Sequence, residues 1–585
     1  MTDKNVRNIF HDPESPLPFR LLARNLRRNP DPKLPPLPVH KFARTSPNGP
    51  SSIVAFFPWD KKSLERLWNG ALNNPGPGFA VLERQWQNII ETHHGVFAVA
   101  HGRDVRLYRT TPKVPLEQIC SVVLESLPSP GSRSDDDEKN VHDDDVHALT
   151  WALNPNELRP LLVIAASRVV HVFDTVRQCA NGVVKGHGGD ITSLRTHPTY
   201  PQFICSTSRD FSTRFYDLQC DARFMFRDPP PPPRGYDYLG GTPFGMQSRS
   251  AAQDPKSDEL PANVEGFGYG KCLGVLWGPI AGAEHLPDRE VLRTRHGGHS
   301  MAVFSADFHE TRSLIATCGL DQCVKIWRVP QMSSPDPKST MFYRMQLPVF
   351  SSSAIHDGKI VSIRWIAYDL LLSESIHPLV SEEEERHRFV IWKWLAMNRY
   401  VDIDQDGKLQ DPQYQDSTES CTRFTSRLTR ILTLLVVSYQ IISIHDVIAP
   451  KHARSSLQTG NGPPLLLIPG RGSLRVYTLK FFQPVPAPAF PHKLVEARPF
   501  CDSLEGVATS KEVQDLLKEQ EVRRYARRDE PHKPWTLQAA DKEHPLPVHR
   551  ADLDLGSCAF SPDRQRVVAA SLSGDVYVWV RYKEE

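Results

Sequence analysis

The 585-residue sequence lacks the features that would place it in a membrane, in an oxidising compartment or around a structural metal. Its longest apolar stretch, Ile431 to Ile444, is interrupted by Thr, Ser, Tyr and Gln, whereas a membrane span needs about 20 apolar residues. The first twenty residues contain no apolar segment of the secretory type, so no signal is predicted. The ten cysteines include no CxxC pair. They therefore predict reduced, buried thiols and neither a disulfide framework nor a zinc site.

The sequence also lacks an excess of charge of either sign. Its 70 Lys and Arg nearly cancel its 68 Asp and Glu, which leaves a net charge of +2. A protein that coats nucleic acid is usually more basic, although direct nucleic-acid contact by a tail or loop stays open. Proline is in excess, with 51 residues against a usual share of about 5 %. Long proline-rich loops or tails are therefore expected around a soluble folded part.

Composition divides the chain into a tail, a folded region and loop insertions. Residues 1–50 are rich in proline and mildly basic, which predicts a disordered tail ahead of a folded region at 51–583. Polar, acidic or proline-rich stretches predict insertions near 127–145, 228–290, 382–388 and 500–545. The second insertion begins with five consecutive prolines, which could bind a groove of the SH3 type. A passive stiff loop is the preferred interpretation.

Five segments between these insertions share one pattern, which indicates internal repetition. Each has a β-rich apolar strand, a turn of small residues and a second strand that ends in an aromatic residue. The segments are 96–109, 161–174, 203–217, 314–328 and 566–580.

Three copies also carry polar residues at nearly equal offsets. A histidine precedes a turn residue by 22 to 24 positions, and an aromatic residue follows that turn residue by six. The sets are His187–Asp210–Tyr216, His299–Asp321–Trp327 and His549–Ser573–Trp579. Buried polar groups must be paired, so a hydrogen-bonded chain through each repeat explains why they recur together. A hydrolase triad would not recur once per repeat, so these residues are interpreted as structural.

The pattern resembles the WD40 family, whose signature is Gly-His and Trp-Asp in units of about 40–45 residues. Gly186-His187 and Gly298-His299 match the first element, and Tyr216-Asp217 is a degenerate second element. Seven strand-ending residues are proposed: Tyr108, Phe173, Tyr216, Trp327, Trp392, His445 and Trp579. The fold class predicted is all-β, a seven-bladed WD40 β-propeller with long insertions, closed by an N-terminal strand.

A closer resemblance is to the EED/extra sex combs family of WD40 Polycomb proteins. It is carried by residues 186–210, 303–329 and 352–376, followed by Phe-Val-Ile-Trp-Lys-Trp, and more weakly by 143–174. The resemblance implies a non-catalytic, nuclear scaffold without a cofactor in a Polycomb repressive complex 2-like methyltransferase. Its partners would be a SET-domain subunit, held as a helical segment on the lower face, and a zinc-finger Polycomb protein. Its upper face would bind trimethyl-lysine on a histone tail and stimulate methylation and gene silencing.

The same resemblance assigns three candidates for an aromatic cage around trimethyl-lysine, a cation that aromatic faces attract. Phe79 corresponds to an aromatic in a Phe-Gly-Val-like strand, with a core phenylalanine as the alternative. His147, upstream of Leu149-Thr150-Trp151, takes the place of a tyrosine. Tyr477 corresponds to the tyrosine of a Trp-Tyr pair that opens blade six, with an ordinary strand aromatic as the alternative.

Blade six is the least defined part of the sequence, because His445 and Tyr477 occur in the wrong order for one blade of this family. Either the blade has diverged, or part of 426–545 is mis-spliced. Two rival functions stay open: a WD40 adaptor of a ubiquitin ligase or RNA-processing complex, and a propeller enzyme with a central-channel site. A phosphate loop at Gly266–Lys271 is not favoured, because its spacing is short and Cys272 replaces Ser or Thr.

Overall fold

The computed structural model of the chain places seven four-stranded blades around one axis, which confirms the predicted propeller. The described residues are 19–25, 52–68, 79–111, 116–124, 145–155, 157–184, 186–221, 266–277, 297–330, 343–345, 347–378, 384–395, 397, 439–459, 464–479, 534–539 and 554–581. The strands of each blade are named a to d from the axis outward.

The first three blades follow the chain in order. Blade one comprises Ser52–Phe56, Val96–His101, Asp104–Arg109 and Glu117–Val123. Blade two comprises Val146–Asn154, Arg159–Ala166, Val169–Asp174 and Cys179–Val184. Blade three comprises Ile191–Thr196, Phe203–Ser208, Thr213–Asp221 and Gly266–Leu276. A short strand, Tyr343–Met345, pairs parallel to strand d of blade three.

The other four blades complete the ring. Blade four comprises Val303–Phe308, Leu314–Gly319, Val324–Arg328 and Phe350–Ser352. Blade five comprises Lys359–Ala367, Leu370–Pro378, Glu384–Trp394 and Tyr439–Pro450. Blade six comprises Ser456–Gln458, Leu465–Pro469, Ser473–Thr478 and Trp535–Gln538. Blade seven comprises Leu555–Phe560, Arg566–Ser571, Val576–Arg581 and the N-terminal strand Phe19–Asn25.

The ring is closed by chain segments far apart in sequence. Phe19–Asn25 pairs antiparallel with Val576–Arg581, with Leu21 opposite Trp579. The predicted closing strand is thus confirmed, and the prediction of disorder is wrong for these seven residues. Their backbone gains hydrogen-bond partners on blade seven, which composition alone does not reveal. The rest of the predicted tail lies outside the described residues.

Apolar side chains hold the blades together in seven buried clusters, one between each pair of neighbouring blades. In strand b of blade four, Leu314 and Ala316 face blade five, whereas Ile315 faces blade three. Both faces of such a strand are buried, so its sequence is a continuous apolar run and not an alternating one. This explains why the repeats are readable as short β-rich segments.

The aromatic residue near the end of strand c has the same register in six blades. Tyr108, Tyr216, Trp327, Trp392, Tyr477 and Trp579 each pair with the second residue of strand b. Tyr477 is therefore the strand-c aromatic of blade six, and the assignment of His445 to that position is wrong. His445 lies in strand d of blade five, where its ring contacts that of Tyr477 at 5.0 Å between centroids. All four strands of blade six are present, which favours divergence over mis-splicing.

Three predicted insertions contain strand residues. Gly266–Leu276 lies within the predicted insertion 228–290 and forms strand d of blade three. Glu384–Trp394 includes most of 382–388, and Trp535–Gln538 lies within 500–545. In each case, pairing with a neighbouring strand outweighs a polar or glycine-rich composition. Gly266–Lys271 is thus part of a strand, and residues 127–144 lie outside the described residues.

Buried polar chains cross blades three, four and five. In blade three, His187 Nδ1 lies 2.9 Å from Asp210 Oδ2 and His187 Nε2 lies 2.6 Å from Ser206 Oγ, which lies 3.2 Å from Tyr216 Oη. In blade four, Trp327 Nε1 donates to Thr317 Oγ1 at 2.8 Å. That oxygen lies 2.8 Å from His299 Nε2, and His299 Nδ1 lies 2.9 Å from Asp321 Oδ2.

Blade five contains a similar chain that its sequence did not reveal. Trp392 Nε1 donates to Ser373 Oγ at 3.0 Å, and His356 lies 2.7 Å from Ser373 and 2.8 Å from Ser375. A serine replaces the usual aspartate, which hides the pattern. In blade seven, Trp579 Nε1 donates instead to the carbonyl of Gln538 at 2.8 Å, and His549 lies outside the described residues.

Candidate ligand-binding faces of the propeller

The direction of the strands defines two opposite faces. The loops that connect strand d of one blade to strand a of the next lie at one face, here called the d–a face. The connections from a to b and from c to d lie at the other end, here called the a–b face. A position along a strand therefore assigns a residue to one face or the other.

Phe79 lies in a connection of the a–b face. It is the first residue of the helix Phe79–His93, here α1, which lies between strands a and b of blade one. Ahead of this helix, the Trp68 N–H donates to the carbonyl of Thr199 at 2.8 Å, and its indole donates to Gln202 Oε1 at 2.8 Å. Both partners belong to the a–b turn of blade three. The prediction that Phe79 lies in a strand is therefore wrong.

The other two candidates lie elsewhere. His147 is the second residue of strand a in blade two, half-buried at the d–a face. Tyr477 is near the end of strand c in blade six, buried between blades five and six, and burial raises its pKa. The structure does not bring Phe79, His147 and Tyr477 together, so they do not form one cage.

A guanidinium group spans the channel at the d–a face. Arg454, just ahead of strand a in blade six, donates from Nη1 to the carbonyl of His147 at 2.8 Å. Its backbone N–H donates to the carbonyl of Gly556 in blade seven at 2.8 Å. The side chain therefore reaches from one side of the ring to the other. Burial, followed by the charge of Arg195, lowers the pKa of Arg454 to about 10.

Deeper charges line the same channel. Arg195 and Asp307 each occupy the fifth position of strand a, in blades three and four. Asp307 Oδ2 accepts a hydrogen bond from the Trp365 N–H at 2.9 Å. Burial raises the pKa of Asp307 to about 7, although the charge of Arg195 and this hydrogen bond oppose the rise. Burial also lowers the pKa of Arg195.

Sequence reasoning missed these channel residues, although a signal was present. Arg195, Asp307 and Arg364 each follow the first buried apolar residue of their repeat by four positions, at Ile191, Val303 and Ile360. Charged residues at an equivalent place in an apolar strand would have indicated a polar channel. Arg454 has no comparable local signal.

The a–b face carries an open groove of about 390 Å³ between α1 and blades one and two. Trp86 and Ile90 on one side of the helix are buried against the core. The other side presents Gln85, Ile89 and Thr92 to the groove. The blades contribute apolar residues to the lining, namely Val96, Leu107, Ile119, Leu158, Pro160 and Val176, and also the charged Arg109, Glu157 and Arg159. A volume of this size suits a few side chains of a partner segment.

Neither a metal site nor a membrane span is found in the parts of the chain that the structure describes. No group of three or more His, Cys, Asp or Glu side chains there is arranged to hold a metal ion. Cys318 is fully buried in the core, and burial raises its pKa well above the usual value. None of the described helices is long and apolar enough to cross a membrane.

Comparison with known proteins agrees with this architecture. The family model for the WD domain, G-beta repeat, matches residues 179–217, 290–328 and 542–580. Polycomb group protein FIE1 of Zea mays is 24% identical over 299 residues, which cover 49% of this chain and 47% of that protein. Polycomb protein EED of Chaetomium thermophilum is 24% identical over 246 residues, 42% of this chain and 31% of that protein.

The chain is a WD40 protein related to the Polycomb EED and FIE proteins.

Solved structures show the same fold for this EED-related protein. A chain of the Chaetomium thermophilum Polycomb Repressive Complex 2 matches with a TM-score of 0.50 and 14% identity, covering 97% of this chain and 99% of that chain. A chain of an active polycomb repressive complex 2 in the basal state matches with a TM-score of 0.50 and 16% identity, covering 97% and 98%. The chain spans less than two thirds of the length of the maize and Chaetomium relatives.

Proposed function

We propose that this protein is the non-catalytic WD40 scaffold of a Polycomb repressive complex 2-like histone methyltransferase and acts in the nucleus. The observation that carries the proposal is the alignment with Polycomb EED and FIE proteins over about half of the chain. The seven-bladed fold supports it, because chains of Polycomb repressive complexes share that fold over nearly the whole length. Its partners would be a SET-domain subunit and a zinc-finger Polycomb protein.

The groove on the a–b face is the proposed seat for a helical segment of the SET-domain subunit. Val81 lies four residues before Gln85, so it extends the groove-facing side of α1, and it is 59% exposed. Val176, at the c–d turn of blade two, is 56% exposed and lines the groove. Two exposed apolar side chains beside a groove with apolar and charged lining residues fit an amphipathic helix, whose apolar side would contact the former.

Replacing Val176 by glutamate is expected to weaken binding of the SET-domain subunit at least tenfold, because a carboxylate would be buried against apolar side chains. Val176 is exposed in the unbound protein, so the fold should tolerate the change. The matched control is Met301→Glu, which places the same charge at an apolar residue, 43% exposed, on the d–a face. Equal affinity of both variants, measured by calorimetry with the purified partner, would place the interface elsewhere.

Affinity purification of the intact protein from its native cells, with partners identified by mass spectrometry, tests the proposal as a whole. Recovery of a SET-domain methyltransferase with a zinc-finger Polycomb protein is the expected result. Recovery of cullin-ligase or splicing components instead would favour the rival function as an adaptor.

Trimethyl-lysine recognition is proposed for the d–a face at His147, the one cage candidate that lies there. The Arg454 guanidinium contacts the carbonyl of this residue, so its positive charge should repel the ligand. Arg454→Met is therefore expected to raise the affinity for a trimethyl-lysine histone peptide several-fold, and His147→Ala to reduce it. Fluorescence anisotropy with trimethylated and unmodified peptides measures both. An equal gain for both peptides would show that Arg454 acts on the tail and not on the methylated side chain.

A further inference from the structure

The central channel carries more positive than negative charge. On the innermost strands that the structure describes, Asp307 is the single carboxylate, whereas Arg195, Arg364 and Lys359 are basic. Arg454 adds a further guanidinium at the d–a end. Lys359 lies 3.7 Å from Glu385 and is thereby balanced. The charges that remain in the channel are those of Arg195, Arg364, Arg454 and Asp307.

Asp307 cannot balance the three arginines. Its Oδ2 accepts the Trp365 N–H, and its raised pKa leaves it partly protonated at neutral pH. Cys205, beside Arg195, has a pKa raised by burial and supplies no charge. The nearby Glu374 carboxylate is bonded by His387 at 2.7 Å and by Ser455 at 2.6 Å.

Two buried hydrogen-bond donors, one on Arg195 and one on the nearby Ser193, also lack partners among the described residues. Within the described residues, neither Arg195 Nε nor Ser193 Oγ has a hydrogen-bond partner, and both atoms are buried. The two residues are two positions apart on strand a of blade three, after the bulge between Ile191 and Ser193, so they project from one face. Buried charged and polar groups need partners, and the described residues supply none for these two atoms.

We propose that a small oxyanion of the phosphate class binds in the central channel, held by Arg195 and Ser193 from one side and by Arg454 from the other. Guanidinium groups suit this ligand, because their forked N–H donors match the oxygens of phosphate. Arg364 contributes charge, since its Nη1 already donates to the carbonyl of Ile363 at 2.8 Å. The site is separate from the groove on the a–b face. It shares Arg454 with the proposed trimethyl-lysine site on the d–a face, but its test with inorganic phosphate does not depend on that proposal.

Thermal unfolding of the full chain in inorganic phosphate tests the site. At constant ionic strength, the Tm should rise by several degrees and level off as the site fills, because a ligand that binds only the folded state stabilises it. Chloride at equal ionic strength should produce no such rise. A parallel titration with inositol hexakisphosphate distinguishes free phosphate from phosphate carried on a larger molecule: a response at lower concentration would identify the latter.

Arg195→Gln should abolish the rise, and Arg195→Lys should retain part of it. The matched control, Arg312→Gln, changes an arginine that stacks on Tyr368 at the a–b face, at 5.3 Å from the ring centre, and should respond as the original protein does. A rise of the same size in Arg195→Gln would overturn the assignment. If Arg195→Gln fails to fold, the unmodified chain still decides: no saturable rise beyond that in chloride refutes the site.

Discussion

Asp210→Asn is expected to lower the free energy of unfolding by about 3–5 kcal/mol, the usual cost of breaking a buried ion pair. The Asp210 carboxylate lies 2.9 Å from His187 Nδ1 and accepts hydrogen bonds from the Gly188 N–H at 2.9 Å and the Ser212 hydroxyl at 2.6 Å. Its side chain is fully buried. An asparagine has the same size but would direct an N–H group at one or more of these donors.

Asp369→Asn is the matched control for this change. Asp369 forms a surface ion pair with Lys393 at 2.9 Å, and its side chain is 31% exposed. Exposed pairs of this kind contribute about 0–1 kcal/mol. Urea unfolding followed by tryptophan fluorescence measures both variants. A loss of similar size in the two would show that the buried chain of blade three adds nothing beyond an ordinary ion pair.

The same pair makes stability depend on pH. Burial opposes ionisation of Asp210, but the charge and hydrogen bond of His187 outweigh it and hold the pKa of Asp210 below its usual value. The contribution of Asp210 is therefore present above about pH 4, near the unfolded-state pKa, and is lost as the pH falls further.

The repeats allowed the ring to be predicted because each blade folds from local hairpins. Strands buried on both faces leave continuous apolar segments, and the strand-c aromatics recur at regular offsets. The repeat of blade six could not be recognised in this way, because its strand a is only three residues long and a long stretch separates its last two strands. No repeat with the family spacing could be recognised there, although Tyr477 has the register of the other strand-c aromatics.

Contacts across the ring could not be predicted in the same way. Arg454 meets the carbonyl of His147 from 307 residues away, and no local pattern signals such a contact. The three cage candidates were transferred one by one from a family pattern, without knowledge of which face each would occupy. Phe79 shows the consequence, since an inserted helix replaces the expected strand and the residue lies at the a–b face.

A chain that begins after Asn25 is expected to lose about 5 °C or more in Tm, or to fail to fold. The deletion removes strand d of blade seven, whose backbone pairs with Val576–Arg581 from the other end of the chain. Each backbone hydrogen bond lost contributes about 0.5–1.5 kcal/mol, and the strand left behind becomes an exposed edge that can pair with other molecules.

A chain that begins at residue 18 is the comparison that isolates the strand, because it keeps Phe19–Asn25 and removes only what precedes it. Differential scanning calorimetry of the two truncated proteins separates loss of the closing strand from loss of the residues ahead of it. Addition of a synthetic peptide spanning residues 18–26 to the shorter protein should restore part of the Tm, because the peptide can re-form the pairing with Val576–Arg581. Equal melting of both proteins would show that the ring is held by the apolar clusters between blades alone. If the pairing between the two ends of the chain closes the ring, the propeller should unfold first at that junction.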